Sequence, residues 1–418
     1  MQLLRALRGR DFAVLVLART ISRLGDGIQA VALAWLVLQL TGSAAAMGLI
    51  LTAQLVPTLA LVVFGGALAD RWPKIPLLVS SDAIRAVVVG VIAALVATGW
   101  VAFSQLLVLG VVFGLVDAVF MPAWSALLPE IVPSEDRPSA NALTSLASRL
   151  AGIAGPAVGA ALVAAGGMSV AFAVDGLSFA LSGVLLVWLG LARRRSAPVS
   201  AQTDQAAPDA PNPSIGGRTL GADVKAGLAA VVATPWIGLT IAAATITNIS
   251  LAGPLGVSVP LLVERSLGGG VGVLGLYGSA IAVGAVVAAV TLGSRARLRR
   301  RWRLVYGSWI ALALAAGAMG LPIGVGGLLV CALVVGFGEV AVGLAWTNAL
   351  QDHVPDELLG RVYSLDYLGS AALIPVGYLV AGLASDAFGP SAVFVAGGLI
   401  SAAILAAMTL LPQIRALD

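Results

Sequence analysis

The chain has 418 residues, 59% hydrophobic and 11% charged, and its mean hydropathy of +1.01 lies outside the range of soluble globular domains. One cysteine, Cys331, and one histidine, His353, exclude a disulfide framework and leave too little for a metal cluster or for a nucleophile with its base. The net charge of +4 does not point to nucleic acid, because the arginines lie between apolar runs, where they set topology.

Aromatic content of only 6%, beside 50 glycines, suits helices packed through small residues rather than a barrel with aromatic girdles. The first apolar run, 12 to 40, follows Arg5, Arg8 and Arg10; it is too long for a signal-peptide core and reads as the first helix. Further spans follow at 45–69, 77–97, 101–124, 139–165 and 168–191, each near the ~20 residues needed to cross ~30 Å of hydrocarbon. Arg193, Arg194 and Arg195 close this set. Residues 196–221 are rich in Ala, Pro, Ser and Gln and read as a linker; 223–234 is mildly amphipathic and reads as an interfacial helix. Spans resume at 236–263, 271–294, 303–321, 324–350, 360–385 and 390–412. The expected architecture is an all-α membrane protein of twelve transmembrane helices in two pseudo-symmetric six-helix bundles, residues 1–192 and 235–418, joined by the segment 193–234.

Lys and Arg crowd alternate loops, from Arg5 to Arg415, whereas the other set of loops holds only Arg265. The asymmetry predicts both termini in the cytoplasm and a multi-pass protein of the plasma membrane. The halves are related: GLVDAVFMPAWSALLPEIVPSE from Gly114 aligns with GFGEVAVGLAWTNALQDHVPDE from Gly336, matching Asp117 to Glu339 and Trp124 to Trp346. A repeat of six helices preserves the direction of crossing, so the two bundles are parallel repeats around a central cavity.

Between the second and third spans, Gly66, Asp70, Arg71 and Lys74 form a charged hinge. Gly66 allows close helix approach, Asp70 is able to accept from the free N–H groups of a neighbouring helix, and Arg71 and Lys74 stay with the headgroups. In residue type, spacing and position this hinge resembles the motif between helices two and three of major facilitator superfamily transporters. In the fifth span Gly152, Gly155, Pro156 and Gly159 are similar to the G-x-x-G-P-x-x-G motif of that superfamily's antiporters and exporters, where proline removes a helix hydrogen bond and bends the span. Ser22 to Gly27, Leu40 to Ser43 and Phe172 to Phe179 extend the similarity toward the subgroup of enterobactin-type siderophore exporters and macrolide or multidrug efflux proteins. The second half departs from the pattern, since the eighth-to-ninth loop reads Gly293 to Arg297 with no acid.

Asp26 falls near mid-bilayer, where a lone charged carboxylate is costly and a group able to bind and release protons, or to meet a cationic cargo, results. Arg23 lies one turn away and Arg149 is also deep; either is a candidate partner for Asp26, and Arg149 also for an anionic substrate group. Asp175 is placed above the cavity centre, as a helix-helix hydrogen-bonding group or a coupling acid. Asp117 and Glu339 are expected near the inner ends of their helices, as clamps with Arg71, Arg85, Arg137 or Arg361, or as static ion pairs. Asp82 and Arg85 read as a local i,i+3 pair. Asn248, with Thr245 and Thr247, either lines the substrate path or bonds within the membrane, and Trp35 is a candidate to face inward.

These readings combine into a secondary transporter whose bundles rock about a midplane site. It is expected to export small amphipathic molecules against protons, as a monomer in the bacterial cytoplasmic membrane. No phosphate-binding glycine loop is present, so the proton gradient rather than ATP or a cofactor supplies the energy. A lipid or lysolipid flippase, and a non-transporting membrane receptor or scaffold, are the alternatives.

Overall fold

The computed structural model describes residues 6–196, 228–229, 231, 233–293 and 301–415; the side chains of 62–70, 195–196 and 356–357 are outside the described set. Among the described residues every regular element is helical. The first six are α1 (Arg10–Thr41), α2 (Ala44–Arg71), α3 (Lys74–Thr98), α4 (Phe103–Ile131), α5 (137–166) and α6 (168–196). The second six are α7 (Pro235–Leu267), α8 (Val271–Gly293), α9 (Arg301–Ala318), α10 (Gly324–His353), α11 and α12 (Pro390–Thr409). α11 has two pieces, Asp356–Ala371 and Ile374–Phe388. α5 runs into α6 with a single break at Gly167, whose φ of 82° lies in the region that favours glycine. Within each half, where the connections are described, short turns make successive helices antiparallel, and the described helices form twelve spans, six in each half.

One face carries the start of α1, the α2–α3 and α4–α5 turns and the end of α12, and it is basic. Ion pairs tie it together inside each bundle: Lys74 to Glu130 at 3.0 Å, Arg193 to Asp11 at 3.9 Å, and Arg301 to Asp352. The linker 197–227, the basic run 294–300 that includes Arg295, and most of the expected interfacial helix lie outside the described residues.

Glycine and alanine stripes set the packing within the bundles. Gly155 and Gly159 of α5 lie against Gly27 and Ile28 of α1, and Gly317 of α9 lies against Gly398 of α12. The repeat seen in the sequence reappears as geometry. A Cβ on Gly114 of α4 meets the carbonyl oxygen of Gln54 on α2, and a Cβ on Gly336 of α10 meets that of Ile281 on α8. Backbone oxygen cannot swing aside as a side chain can. Gly114→Ala and Gly336→Ala are therefore each expected to cost about 1–3 kcal/mol, read as a lower thermal midpoint in detergent. Gly90→Ala, with nothing within 4 Å of the added carbon, is expected to be neutral or stabilising.

Two helix pairs make most of the contact between the halves, α2 with α11 and α5 with α8, and α1 and α2 also touch α7. The α2–α11 contacts fall at the ends remote from the basic face: Gly48 sits on the Tyr378 carbonyl, and Thr52 Oγ1 donates to the Pro375 oxygen at 3.2 Å. Along α5, Pro156 packs on Gly275 and Gly278 of α8, and Ser279 Oγ donates to the Ile153 oxygen at 2.7 Å. The bundles thus close on the far face and separate toward the basic one.

Candidate functional site

Between the bundles lies a cavity of about 480 Å³. Its two walls differ in chemistry. α1, α2, α3 and α4 contribute Arg19, Arg23, Asp26, Gln54, Arg85 and Asp117, whereas α7 and α8 contribute Leu255, Val259, Pro260, Leu274, Tyr277 and Gly278. One side of a bound molecule therefore meets charge and the other meets apolar surface.

The charged wall begins with register. Arg19, Arg23 and Asp26 follow one another at i, i+4 and i+7 on α1, so they share a face. Arg23 Nη1 lies 3.3 Å from Asp26 Oδ2, and both side chains are reached from the cavity. Arg19 is almost wholly buried; its Nη2 meets Met121 Sδ at 3.4 Å and its guanidinium lies over Phe120 and Trp124. Asp26 and Asp117 are within its electrostatic reach.

Behind this face a second cluster joins α3, α4 and α6. Arg85, 3% exposed, bonds Asp117 and lies 3.7 Å from Asp82, which is fully buried and accepts from Ser182 Oγ at 2.6 Å. Phe113, Phe120 and Phe179 surround the Arg85 guanidinium, the nearest ring centre at 4.2 Å. Arg19, Arg23 and Arg85 thus face Asp26, Asp82 and Asp117, three cations against three acids, and this wall neutralises itself.

On the far face the cavity is shut by contacts that cross between bundles. Asp386 at the end of α11 caps the start of α2: Ala44 N–H donates to it at 2.8 Å, Ala45 N–H at 3.1 Å, and Ser43 Oγ also donates. Arg265 Nη2 donates to the Gly42 oxygen at 3.0 Å, and Gln39 Nε2 to Glu264 at 3.4 Å. Gly42 closes α1 with a φ of 61°, which turns that carbonyl outward.

Several residues singled out in the sequence stand elsewhere than expected. Asp117 and Glu339 are not near the inner ends of their helices but near the middle; α4 continues well past its apolar run, to Ile131, and Glu339 is midway along Gly324–His353. Asp117 pairs with Arg85, while Arg137 caps α4 through the Val132 and Pro129 oxygens and Arg71 is exposed. Among the described residues Glu339 forms no ion pair, with Arg361 or with any other cation. Arg149 does not meet Asp26; it reaches across to the Ala285 oxygen of α8 at 3.5 Å. Asp175 is sealed rather than above the cavity: it is fully buried against Gly25 of α1 and accepts from Ser178 Oγ at 3.4 Å.

Asn248 does not line the cavity either. α7 passes through two π-helical turns, Asn248–Ala252 and Pro254–Ser258, and these lie beside the break in α11. There Asn248 Nδ2 donates to the Ser370 oxygen at 2.7 Å and Thr245 Oγ1 to the Gly369 oxygen at 2.7 Å, which satisfies backbone at the end of the first piece of α11. Trp35 packs into the apolar core. Helical angles continue through Pro156, and Gly152, Gly155 and Gly159 serve close packing rather than a sharp bend. Lys74 pairs with Glu130 on the basic face. The side chains of Gly66 and Asp70 lie outside the described residues. Arg19 and Asp386 went unnoticed in the sequence; the register of Arg19 with Arg23 was the available signal.

The fold and its two-walled cavity define a multi-pass membrane transporter. Residues 15–374 match the Major Facilitator Superfamily, with a second, overlapping match over 241–416, and the chain belongs to that superfamily. No curated protein matches it in sequence. Among solved structures it is similar to a bacterial homolog of the human lysosomal transporter Spinster in an inward-facing, unoccupied conformation, at 14% identity and a TM-score of 0.66, covering 98% of this chain and 96% of that one. It is also similar to the nucleoside transporter NupG, at 12% identity and a TM-score of 0.66 over 96% of this chain and 98% of that one; a NupG variant gives 11% and 0.69 over 96% and 99%. At these identities the likeness is one of fold.

Proposed function

We propose that this transporter exports small amphipathic molecules across the bacterial cytoplasmic membrane in exchange for protons, in the manner of the siderophore-exporter and drug-efflux subgroup whose motifs it shares. The observation that carries the reading is the cavity, with fixed charges on one wall and apolar side chains on the other, closed on the far face and parted toward the basic one. On the positive-inside rule the basic face is cytoplasmic, so the cavity opens to the cell interior. Cargo enters there, with its apolar body against Leu255, Val259 and Leu274 and its polar group beside Arg23 and Asp26. Rocking of the bundles about the α2–α11 and α5–α8 contacts then exposes the cavity to the other side. The hinge of Gly66, Asp70, Arg71 and Lys74 holds the cytoplasmic side shut in that second state, and no cofactor takes part.

The test is proton movement in proteoliposomes of the purified protein on addition of anionic, neutral and cationic amphipaths. Wild-type protein is expected to move protons with at least one class. Asp26→Asn, which leaves Arg23 without its partner, is expected to lose most of that flux. No proton movement with any class would overturn the reading, and an unchanged Asp26→Asn would remove that residue from it.

A further inference from the structure

Six carboxylates lie within the spans away from their ends, and five have at least one hydrogen-bond or ion-pair partner. Asp26 has Arg23, Asp82 and Asp117 share Arg85, Asp366 accepts from Trp346 Nε1 at 2.9 Å, and Asp175 is sealed beside Ser178. Glu339 is the sixth. Among the described residues it has no hydrogen-bond or ion-pair partner, and its surface is not covered by protein at the middle of α10.

Helix register puts it on the inward side of α10 rather than on the lipid side. At 100° per residue Glu339 falls on the stripe of Leu328, Ala332 and Gly343, nearly opposite Val330 and Val334. Leu328 and Ala332 are buried, whereas Val330 and Val334 are exposed and form the lipid face. Farther toward the basic face the same stripe is exposed at Glu339 and Gly343. Tyr277 of α8, which lines the cavity and whose hydroxyl has no partner, is within electrostatic reach of Glu339.

The other half of the repeat explains why Glu339 stands alone. It occupies the position of Asp117, whose charge Arg85 of α3 answers. Aligning Lys74 with Arg301, the first residues of α3 and α9, places Leu312 opposite Arg85, and Leu312 packs beside Gly338, next to Glu339. The acid is kept and its cation is replaced by a hydrocarbon. The ionisable groups nearest its level on the helices packed against α10 are Tyr277 on α8, Tyr306 on α9, and Arg361, Tyr363 and Asp366 on α11; Arg301 and Arg303 stand at the basic end of α9, where Arg301 pairs with Asp352. Tyr306 bonds Thr240 and Asp366 bonds Trp346.

We propose that Glu339 is an exchange site that holds, one at a time, a proton or the cationic group of an amphipathic cargo. This rests on the transport reading above and names its cargo as an organic cation. The physical reason is desolvation. Closing the cleft over a bare, uncompensated carboxylate is strongly unfavourable, whereas a protonated Glu339 or one paired with a bound cation closes without that penalty. The carrier therefore crosses with one or the other, and binding of the cation releases the carboxyl proton to water in the cleft.

The experiment uses two ions of one shape and opposite charge, tetraphenylphosphonium and tetraphenylborate, with the purified protein in detergent. Wild type is expected to prefer the phosphonium, to release a proton as it binds, and to bind about tenfold more weakly per pH unit below the titration of the site, as one-for-one competition requires. Glu339→Gln is expected to lose both the preference and the pH dependence while keeping a wild-type thermal midpoint, and Glu339→Asp to keep them. If Glu339→Gln does not fold, the wild-type and Glu339→Asp measurements decide. Equal or tighter binding of tetraphenylborate by wild type, phosphonium binding without proton release, or a wild-type pH profile in Glu339→Gln would each overturn the proposal. In proteoliposomes, cargo-driven proton flux that survives in Glu339→Gln ends this assignment and leaves the exporter reading standing.

Discussion

Replacing Arg85 with leucine is expected to cost about 3–5 kcal/mol, the range for breaking a buried ion pair by removing one partner. Asp82 is fully buried and Arg85 is 3% exposed, so water cannot take over when the guanidinium goes. Ser182 supplies Asp82 with a single neutral hydrogen bond. Asp117 is 41% exposed to the cavity and contributes less to the loss, because solvent screens it. The stacking of Arg85 between Phe113, Phe120 and Phe179 is forfeited as well, although a leucine fills part of that space. The effect should appear as a sharply lower thermal midpoint and poor recovery of monodisperse protein. The second half already shows the remedy, since its Leu312 stands where no buried acid needs an answer. Adding Asp82→Asn and Asp117→Asn to Arg85→Leu is therefore expected to restore folding but not transport. Recovery of stability by the single Arg85→Leu protein would mean that the cluster does not hold α3, α4 and α6 together.

The fold was legible because the bilayer leaves few options. Runs of about twenty apolar residues have to be helices, and their basic flanks alternate. The repeat was equally plain, because Gly114 and Gly336 need the same close approach to a neighbouring backbone in both halves. Depth and facing were not legible. Asp117 was placed too near the helix end because the hydropathic signal fades at residue 124 while α4 runs on through Pro129, and Glu339 was carried along with it through the repeat. Hydropathy marks where hydrocarbon stops, not where the helix stops. Asn248 was ambiguous because nothing in the sequence of α7 announces its π-helical turns or the facing break in α11, and only those explain what its amide bonds. Arg19 was hidden by its position near the basic start of the chain, where one more arginine reads as a topology signal.

Asp386 was missed for a related reason. An acid at the end of a span reads as a loop residue, yet this one reaches the other bundle. α2 and α11 run antiparallel, and each carries an aspartate at its C-terminal end. The hinge motif implies that Asp70 of α2 accepts from the first N–H groups of a neighbouring helix on the basic face. On the far face Asp386 of α11 does this to α2, where free N–H groups and the positive end of the helix dipole favour an anion. Hydrogen bonds to a charged acceptor are worth about 1.5–3 kcal/mol, so removing this cap shifts a two-state equilibrium by about ten- to a hundredfold toward opening on the far face. Arg265 on Gly42 and Gln39 on Glu264 remain and keep the shift finite. Spin labels at Leu40 and Phe388, both exposed at that face, are suited to read it. Asp386→Ala is expected to add a longer distance to the distribution, and Asp386→Asn, which keeps an acceptor without the charge, a smaller share of it. An unchanged distribution in Asp386→Ala would show that the far-face closure rests on the glycine contacts of Gly48 and Gly382 instead, because those pack the same two helices without any polar group.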